Sequence, residues 1–299
     1  MPQREYGSHT VEISNADKTF FPDAGLSKGD IIDYYERIAE TMLPHLVGRP
    51  LTMHRYPDGL DGQSFYQKET PDYFPDWVTR VEVQKREAGG RQSQVVCDSK
   101  ATLVYLANQA CLTPHIWLSR QDALDHPDRV IFDLDPHGED FGPVRWAARR
   151  LRELLEDLGL PVFLMLTGSR GAHVVVPIQR GVDFDQARSF AQDVAKRLAQ
   201  RHPDELTTAQ RKRKRGNRLF IDTARNAYAQ TAVAPYSVRA RAGAPVATPL
   251  DWSELDNSDL TASRYSIRNL NRRLAQKDDP WKRIGRHAAR LETARERFG

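Results

Sequence analysis

Residues 130–136 read Val130-Ile131-Phe132-Asp133-Leu134-Asp135-Pro136, an apolar run that ends in two carboxylates and a proline. Successive strand residues face opposite ways, so Asp133 and Asp135 share one face with their Cα atoms roughly 7 Å apart. Hard oxygen ligands on one rigid edge suit a pair of divalent cations, which can clamp a phosphoryl group on both sides of an in-line displacement. The plainer alternative is a strand that stops at an Asp-Pro turn, which both residues favour.

The flanking segments extend this strand into a fold. Val144, Trp146, Ala147, Leu151, Leu154, Leu155 and Leu158 recur at helical spacing over 142–159. A second strand follows at Val162–Leu166, then the turn Gly168-Ser169-Arg170-Gly171, then a third strand through Val174, Val175 and Val176. A helix is expected over 184–200, and Leu219-Phe220-Ile221 reads as a fourth strand ending in Asp222. The order β-α-β-β-α-β is the split βαβ, ferredoxin-like (RRM-like) arrangement of an α+β protein. In that arrangement the first and fourth strands can be neighbours, which would bring Asp222 beside Asp133 and Asp135. Taken alone, Asp222 is an ordinary strand-end carboxylate.

Upstream, Ser27-Lys28-Gly29-Asp30 has capping-box spacing with Asp in place of Glu, and apolar positions from Ile31 to Met42 predict a helix up to Pro44. Residues 51–68 and 78–97 read as short antiparallel strands, and 101–110 as a short helix. We therefore expect an N-terminal α+β module over 1–120 and a core over 121–299. Helices at 264–276 and 280–297, separated by Asp278-Asp279-Pro280, would close the chain.

Composition narrows the function classes. At 299 residues, with 39% hydrophobic and 28% charged side chains, the chain has the make-up of a soluble globular protein. No apolar stretch approaches the ~18 residues of a membrane span, and the N-terminus lacks a secretory signal core. Two cysteines without a Cys-x-x-Cys pair suggest no zinc and a cytoplasmic, reducing location. The net charge of +4 conceals segregation: 211–218 hold six basic residues and 264–299 carry +7, which leaves −9 elsewhere. Concentrated positive charge suits a phosphate-rich partner such as nucleic acid, although charge runs are often solvated faces.

Two further segments bear on phosphate. In Thr167-Gly168-Ser169-Arg170-Gly171-Ala172-His173 the glycines permit a turn whose amides could face a phosphate, with Ser169, Arg170 and His173 adding side chains. A simple hairpin turn is the alternative. On a strand through Tyr236-Ser237-Val238-Arg239-Ala240-Arg241, Arg239 and Arg241 would point the same way and could fork onto a triphosphate; a solvent-facing edge is the alternative.

Together these segments resemble the polymerase domain of bacterial DNA ligase D, in the archaeo-eukaryotic primase superfamily. NADKTFFP, GLSKGDIIDYYERIAETMLPHLVGRP, RYPDG, FYQK, TLVYLANQACLTPHIW, FDLDP, TGSRGAHVVVP, FIDTARN and APYSVRAR carry the resemblance in order, from about Ile13 to Phe298. It implies a template-directed polymerase and primase-like enzyme of non-homologous end joining, using two divalent metal ions (Mn²⁺ or Mg²⁺) and often preferring ribonucleotides. By that resemblance Asp133, Asp135 and Asp222 hold the metals. Ser169 and His173, with Arg170 beside them, belong to the nucleotide-phosphate motif, and Arg239 and Arg241 hold the triphosphate. His115 and Arg55 lie near the incoming NTP or dNTP. Lys18 and Lys28 bind the 5′-phosphate at a gap or broken end, and Phe65 with Tyr66 stacks on template bases. His54 stands where the family often has Lys, so an imidazole would make a pH-dependent contact there. Arg225 departs from some members. A ligase and a Ku-like end-binding protein are the implied partners.

Two other classes compete. A haloacid-dehalogenase-type phosphatase also places Asp-x-Asp after an apolar strand, but His137 stands where such enzymes carry Thr or Val. A non-catalytic DNA end-bridging module would explain the cations and aromatics. It would not explain three carboxylates in a site for polyanions, where uncompensated charge repels.

Overall fold

The computed structural model describes residues 2–86 and 89–299. The chain forms two compact units: one takes in residues up to Asp122 with Thr231–Ala247 and Tyr265–Arg273, the other Ala123–Gln230, Thr248–Arg264 and Leu274–Gly299. In chain order the first unit supplies β1 (Gln3–Tyr6), β2 (His9–Glu12), β3 (Thr19–Phe21), β4 (Leu26–Ser27), α1 (Lys28–Leu46), β5 (Leu51–Arg55) and β6 (Phe65–Gln67). It continues with β7 (Arg80–Gln84), β8 (Arg91–Val95), α2 (Lys100–Asn108) and β9 (Cys111–Trp117). The second unit supplies β10 (Arg129–Asp135), α3 (Gly142–Asp157), β11 (Phe163–Leu166), β12 (Ala172–Pro177), α4 (Phe184–Arg201), β13 (Leu206–Thr207) and β14 (Leu219–Asp222). Then come β15 (Thr231–Val233) in the first unit, β16 (Thr248–Leu250) in the second, and α5 (Leu270–Gln276) and α6 (Leu291–Phe298).

In the first unit α1 starts at the expected capping box. The Asp30 amide donates to Ser27 Oγ, and the Ser27 amide donates to the Asp30 carboxylate at 2.7 Å. Its buried side, from Ile31 to Leu46, packs on α2, and burial of His45 and Leu46 carries the helix past Pro44. Each such large apolar side chain contributes about 1.5–3 kcal/mol when taken out of water. The main sheet runs β15-β9-β5-β6, so a segment 114 residues downstream of Trp117 returns as its edge, with Thr231 opposite Trp117. Local patterning carries no trace of such a long-range pairing, and the boundary expected at 120 marks only the first of several crossings.

The second unit is built on the six-stranded order β13-β14-β10-β12-β11-β16. Its inner four, β14-β10-β12-β11, pair antiparallel throughout, with α3 and α4 as the intervening helices. Val130, Phe132 and Leu134, each 0% exposed, make one buried side of β10, leaving Ile131, Asp133 and Asp135 on the other.

The expected C-terminal helices are shorter. Residues 265–267 bond to the 244–246 segment, Val246 N–H donating to Tyr265 O and Ile267 N–H to Ala244 O, so α5 begins only at Leu270. Trp281 is 1% exposed and donates its indole N–H to Leu164 O at 3.1 Å, and Arg283 adopts φ 67°. That anchored turn replaces the first half of the expected 280–297 helix, leaving a 3-10 turn at Ile284–His287 and then α6.

Candidate active site

Strand register brings the second unit's candidate residues into one row. Asp133 on β10 lies directly opposite His173 on β12 and Asp222 on β14. Directly opposed residues share a face with Cβ atoms about 4.5–5.5 Å apart. His173, 3% exposed, places Nε2 3.6 Å from Asp133 Oδ1. The Asp222 carboxylate accepts the Ala224 amide at 2.8 Å, which fixes it at the strand end.

Guanidinium groups surround these carboxylates. Arg170 reaches Asp135 Oδ1 at 3.3 Å, Arg215 reaches Asp135 Oδ2 at 3.2 Å, and Arg225 lies 3.8 Å from Asp133 Oδ2. Among the described residues no three His, Cys, Asp or Glu side chains converge as a closed metal-ligand set. Asp135 is turned onto the two arginines instead. The donor chemistry still fits divalent cations: three carboxylates occupy one face of two paired strands, and hard oxygen is the donor such ions take.

The 167–171 turn supports this row. Thr167 donates both its amide (3.1 Å) and its Oγ1 (3.0 Å) to Gly171 O, and the Ser169 amide donates to Thr167 Oγ1 at 3.3 Å. The Ser169 amide is thus spent inside the turn and does not join the expected outward cradle. Gly171 is required by close approach: a Cβ there would meet Leu134 O at 1.9 Å.

Sequence reasoning missed Asn226. Its buried amide accepts from Ile131 N–H at 2.8 Å and donates to Ile131 O at 2.7 Å, continuing the β10 ladder where β14 ends. That bond holds the 224–226 turn, and with it Arg225, beside Asp133. Only the terminal Asn of FIDTARN signals it, an amide that carries both donor and acceptor.

In the first unit Arg239 and Arg241 do not lie on a strand. Only Val238 makes an isolated bridge, to Val246, and the Arg241 amide donates to Arg239 O at 2.8 Å in a tight turn. Tyr236, 0% exposed with φ 67°, leaves extended geometry just before it. Three side chains pin this irregular backbone. Tyr34 hydroxyl donates to Tyr236 O (2.7 Å), Thr113 Oγ1 donates to Val238 O (2.5 Å), and Tyr35 hydroxyl accepts Val238 N–H (3.0 Å) while donating to Leu112 O (2.7 Å). Tyr35 lies on the buried side of α1, where helical spacing alone gives it a packing role.

His54 stacks on Tyr66 with centroids 4.0 Å apart, and His115 meets the Tyr66 edge at 5.6 Å. Burial, then the positive charge of Arg239, pushes His54 down to about 4. The imidazole is neutral at pH 7, so the expected pH-dependent contact does not arise near neutrality. Arg55 is spent within the unit, donating to Gln109 O (2.8 Å), Gln67 Oε1 (2.7 Å) and Tyr73 hydroxyl (2.9 Å), with its guanidinium 5.6 Å from the Phe65 ring. It braces an exposed aromatic surface of Phe65 and Tyr66, to which the structure adds Tyr73, 61% exposed.

Lys18 and Lys28 meet at the start of α1. Lys28 is 5% exposed; its backbone N–H donates to Lys18 O, and its ammonium donates to Ser14 O at 2.6 Å. Burial, then the charge of Lys18, lowers Lys28 to about 8. Lys18 is held by Asp58 of the RYPDG turn at 2.5 Å.

Over residues 27–281 the chain matches the family described as LigD, primase-polymerase domain. It is 36% identical over 264 residues to the multifunctional non-homologous end joining DNA repair protein LigD of Mycobacterium tuberculosis, covering 85% of this chain and 34% of that one. To the bifunctional non-homologous end joining protein LigD of Bacillus subtilis it is 30% identical over 273 residues, 91% of this chain and 43% of the other. The solved polymerase domain from Mycobacterium tuberculosis Ligase D in complex with DNA matches with a TM-score of 0.87 at 35% identity, over 93% of this chain and 99% of that chain. By fold and match the protein is a mixed α+β primase-polymerase domain. It belongs to the LigD primase-polymerase family, and it spans about a third of the length of the mycobacterial relatives it matches.

Proposed function

We propose that the chain is a template-directed nucleotidyltransferase, a polymerase with primase-like capacity that fills gaps and extends broken DNA ends in non-homologous end joining. The observation that carries this reading is the cross-strand row His173–Asp133–Asp222, with Asp135 one step along the same face. The inner four strands and two helices of the second unit serve as an RRM-like catalytic core. Asp133, Asp135 and Asp222 would hold two divalent cations, Mn²⁺ or Mg²⁺. Bound there, the ions would supply positive charge at the attacking and leaving oxygens of an in-line displacement. Arg170 and Arg215, each holding one Asp135 oxygen, would stand beside the ions and the phosphates they bind.

The remaining residues bind and orient. Ser169, Arg170 and His173 take nucleotide phosphate oxygens. Arg239 and Arg241, on their pinned turn, take the triphosphate and the departing pyrophosphate. Phe65 and Tyr66 stack on template bases, braced by Arg55. Lys18 and Lys28 take the 5′-phosphate of the downstream strand, where two ammonium groups meet a helix N-terminus. The reading extends to ribonucleotide preference and to a partner ligase and Ku-like end-binding protein; the relatives' names supply the end-joining context. A dehalogenase-type phosphatase is disfavoured by the family match.

The test is primer extension across a one-nucleotide DNA gap, with Mn²⁺ or Mg²⁺ and ribo- or deoxynucleotides, with and without the downstream 5′-phosphate. Templated addition that vanishes in Asp133→Ala supports the reading. Tight DNA binding without addition under either metal would replace it with an end-bridging module.

A further inference from the structure

A pocket of about 260 Å³ opens in the second unit between α4 and the end of β14, lined in part by Arg188, Gln192, Lys196, Thr208, Asp222 and Thr223. It is smaller than the ~300–1,000 Å³ of sites that enclose a whole small ligand, which suits one phosphate with its sugar rather than a nucleoside triphosphate.

Arg188 makes the pocket unusual. Its Nε is fully shielded from solvent and has no hydrogen-bond partner, and the side chain makes no hydrogen bond or ion pair among the described residues. A guanidinium carries five donors, and a shielded donor left unpaired costs about 1–3 kcal/mol. An acceptor from outside the chain, entering the pocket, would satisfy it. Lys196 adds a second cation, with only a 3.6 Å surface pair to Asp193 on its own helix. Gln210, also on the pocket wall, opens the turn whose residues Arg211, Lys212, Arg213 and Lys214 are four exposed cations. The one carboxylate in the lining is Asp222, already tied to the Ala224 amide.

We propose that this pocket binds a backbone phosphodiester of the strand that carries the 3′-hydroxyl, with Arg188 as its principal contact and Lys196 as its second. The inference rests on the polymerase reading for the identity of the strand. Asp222 is the carboxylate shared by the pocket and the metal-binding row, so a strand whose end lies at that row passes the pocket with its last linkages. Phosphate contacts of this kind fix register without reading sequence.

The experiment measures primer–template binding by fluorescence anisotropy and steady-state nucleotide addition for the wild type, Arg188→Ala, Arg188→Lys and Lys196→Ala. Primers carry one neutral methylphosphonate at each of the last linkages in turn. Arg188→Ala should weaken primer–template binding about tenfold and lower the salt slope by about one, with the nucleotide KM unchanged within twofold and partial recovery in Arg188→Lys. One methylphosphonate position should weaken the wild type by the same factor and add nothing in Arg188→Ala. Unchanged DNA binding in Arg188→Ala, a nucleotide KM that rises in parallel, or neutral-linkage penalties equal in wild type and variant would each overturn the proposal. Lys196→Ala, at an exposed helix position, gives the same contrast if Arg188→Ala does not fold. If the wild type adds no nucleotide but one linkage still couples to Arg188, the polymerase reading fails and the phosphodiester site stands.

Discussion

Lys28 shows how one residue can be tuned by its neighbours. Its ammonium is buried against Ser14 and faces the charge of Lys18, which brings it to about 8 from 10.5. Because the folded value lies below the unfolded one, folding favours the neutral form. The unfolded chain binds more protons between about pH 8 and 10.5, so stability rises through that window and is lost as pH falls through about 8. A 5′-phosphate would reverse this balance by pairing with the charged form. Preference for a phosphorylated over a hydroxyl downstream end should therefore weaken about tenfold between pH 7 and pH 9, as free Lys28 loses its proton. Lys28→Arg, which stays charged, should flatten that dependence. The check is competition between the two DNA ends across the pH range, and a flat wild-type profile would remove Lys28 from the phosphate site.

Elements place what residues alone cannot. Gly171 lets β12 lie against Leu134, the residue between the two aspartates, and a Cβ would meet Leu134 O at 1.9 Å. Gly171→Ala must displace one strand from the other, at a cost of about 3 kcal/mol or more, seen as a lower Tm and lost addition. An unaltered Tm would mean that β12 moves freely. Tyr35→Phe tests the arginine turn: it removes the acceptor of the buried Val238 N–H, costing about 1–3 kcal/mol. The nucleotide KM should rise while 5′-phosphate preference stays, and an unchanged KM would mean that the Arg239–Arg241 turn holds without α1.

At this scale the sequence is an uneven guide. The Ser27 cap and the β-α-β-β-α-β order follow from spacing, because capping and strand period are local; that order allows Asp222 to lie near Asp133, and only the structure gives their register. The β15 edge, the Asn226 bridge and the shortened C-terminal helices depend on partners tens of residues away, to which a periodicity is blind. Tyr34 and Tyr35 sit at apolar positions, and their hydroxyls gain a role only once the 236–238 backbone is irregular enough to need them.

Across the whole molecule, charge is the property that the fold leaves least altered. The chain carries +4, yet 211–218 alone hold six basic residues and the parts outside the two basic stretches sum to −9. Within the run the structure divides the labour. Arg215 lies over Phe220, with its Cζ 3.7 Å from the ring centroid, and donates to Ala209 O and Asp135, and Arg218 donates to Arg215 O and Lys214 O. Arg211, Lys212, Arg213 and Lys214 are exposed. Folding thus uses two of the six and leaves four to solvent beside the pocket at Asp222. Replacing those four with Gln brings the net charge to zero and should alter stability by no more than about 0.5 kcal/mol, the usual range for exposed positions. DNA affinity should fall at low salt, and the slope of log K against log[salt] should drop by about 0.9 for each of the four that contacts a duplex phosphate. An unchanged slope would make the run a solvated face and confine nucleic-acid contact to Arg188, Lys196 and the first unit's own cations.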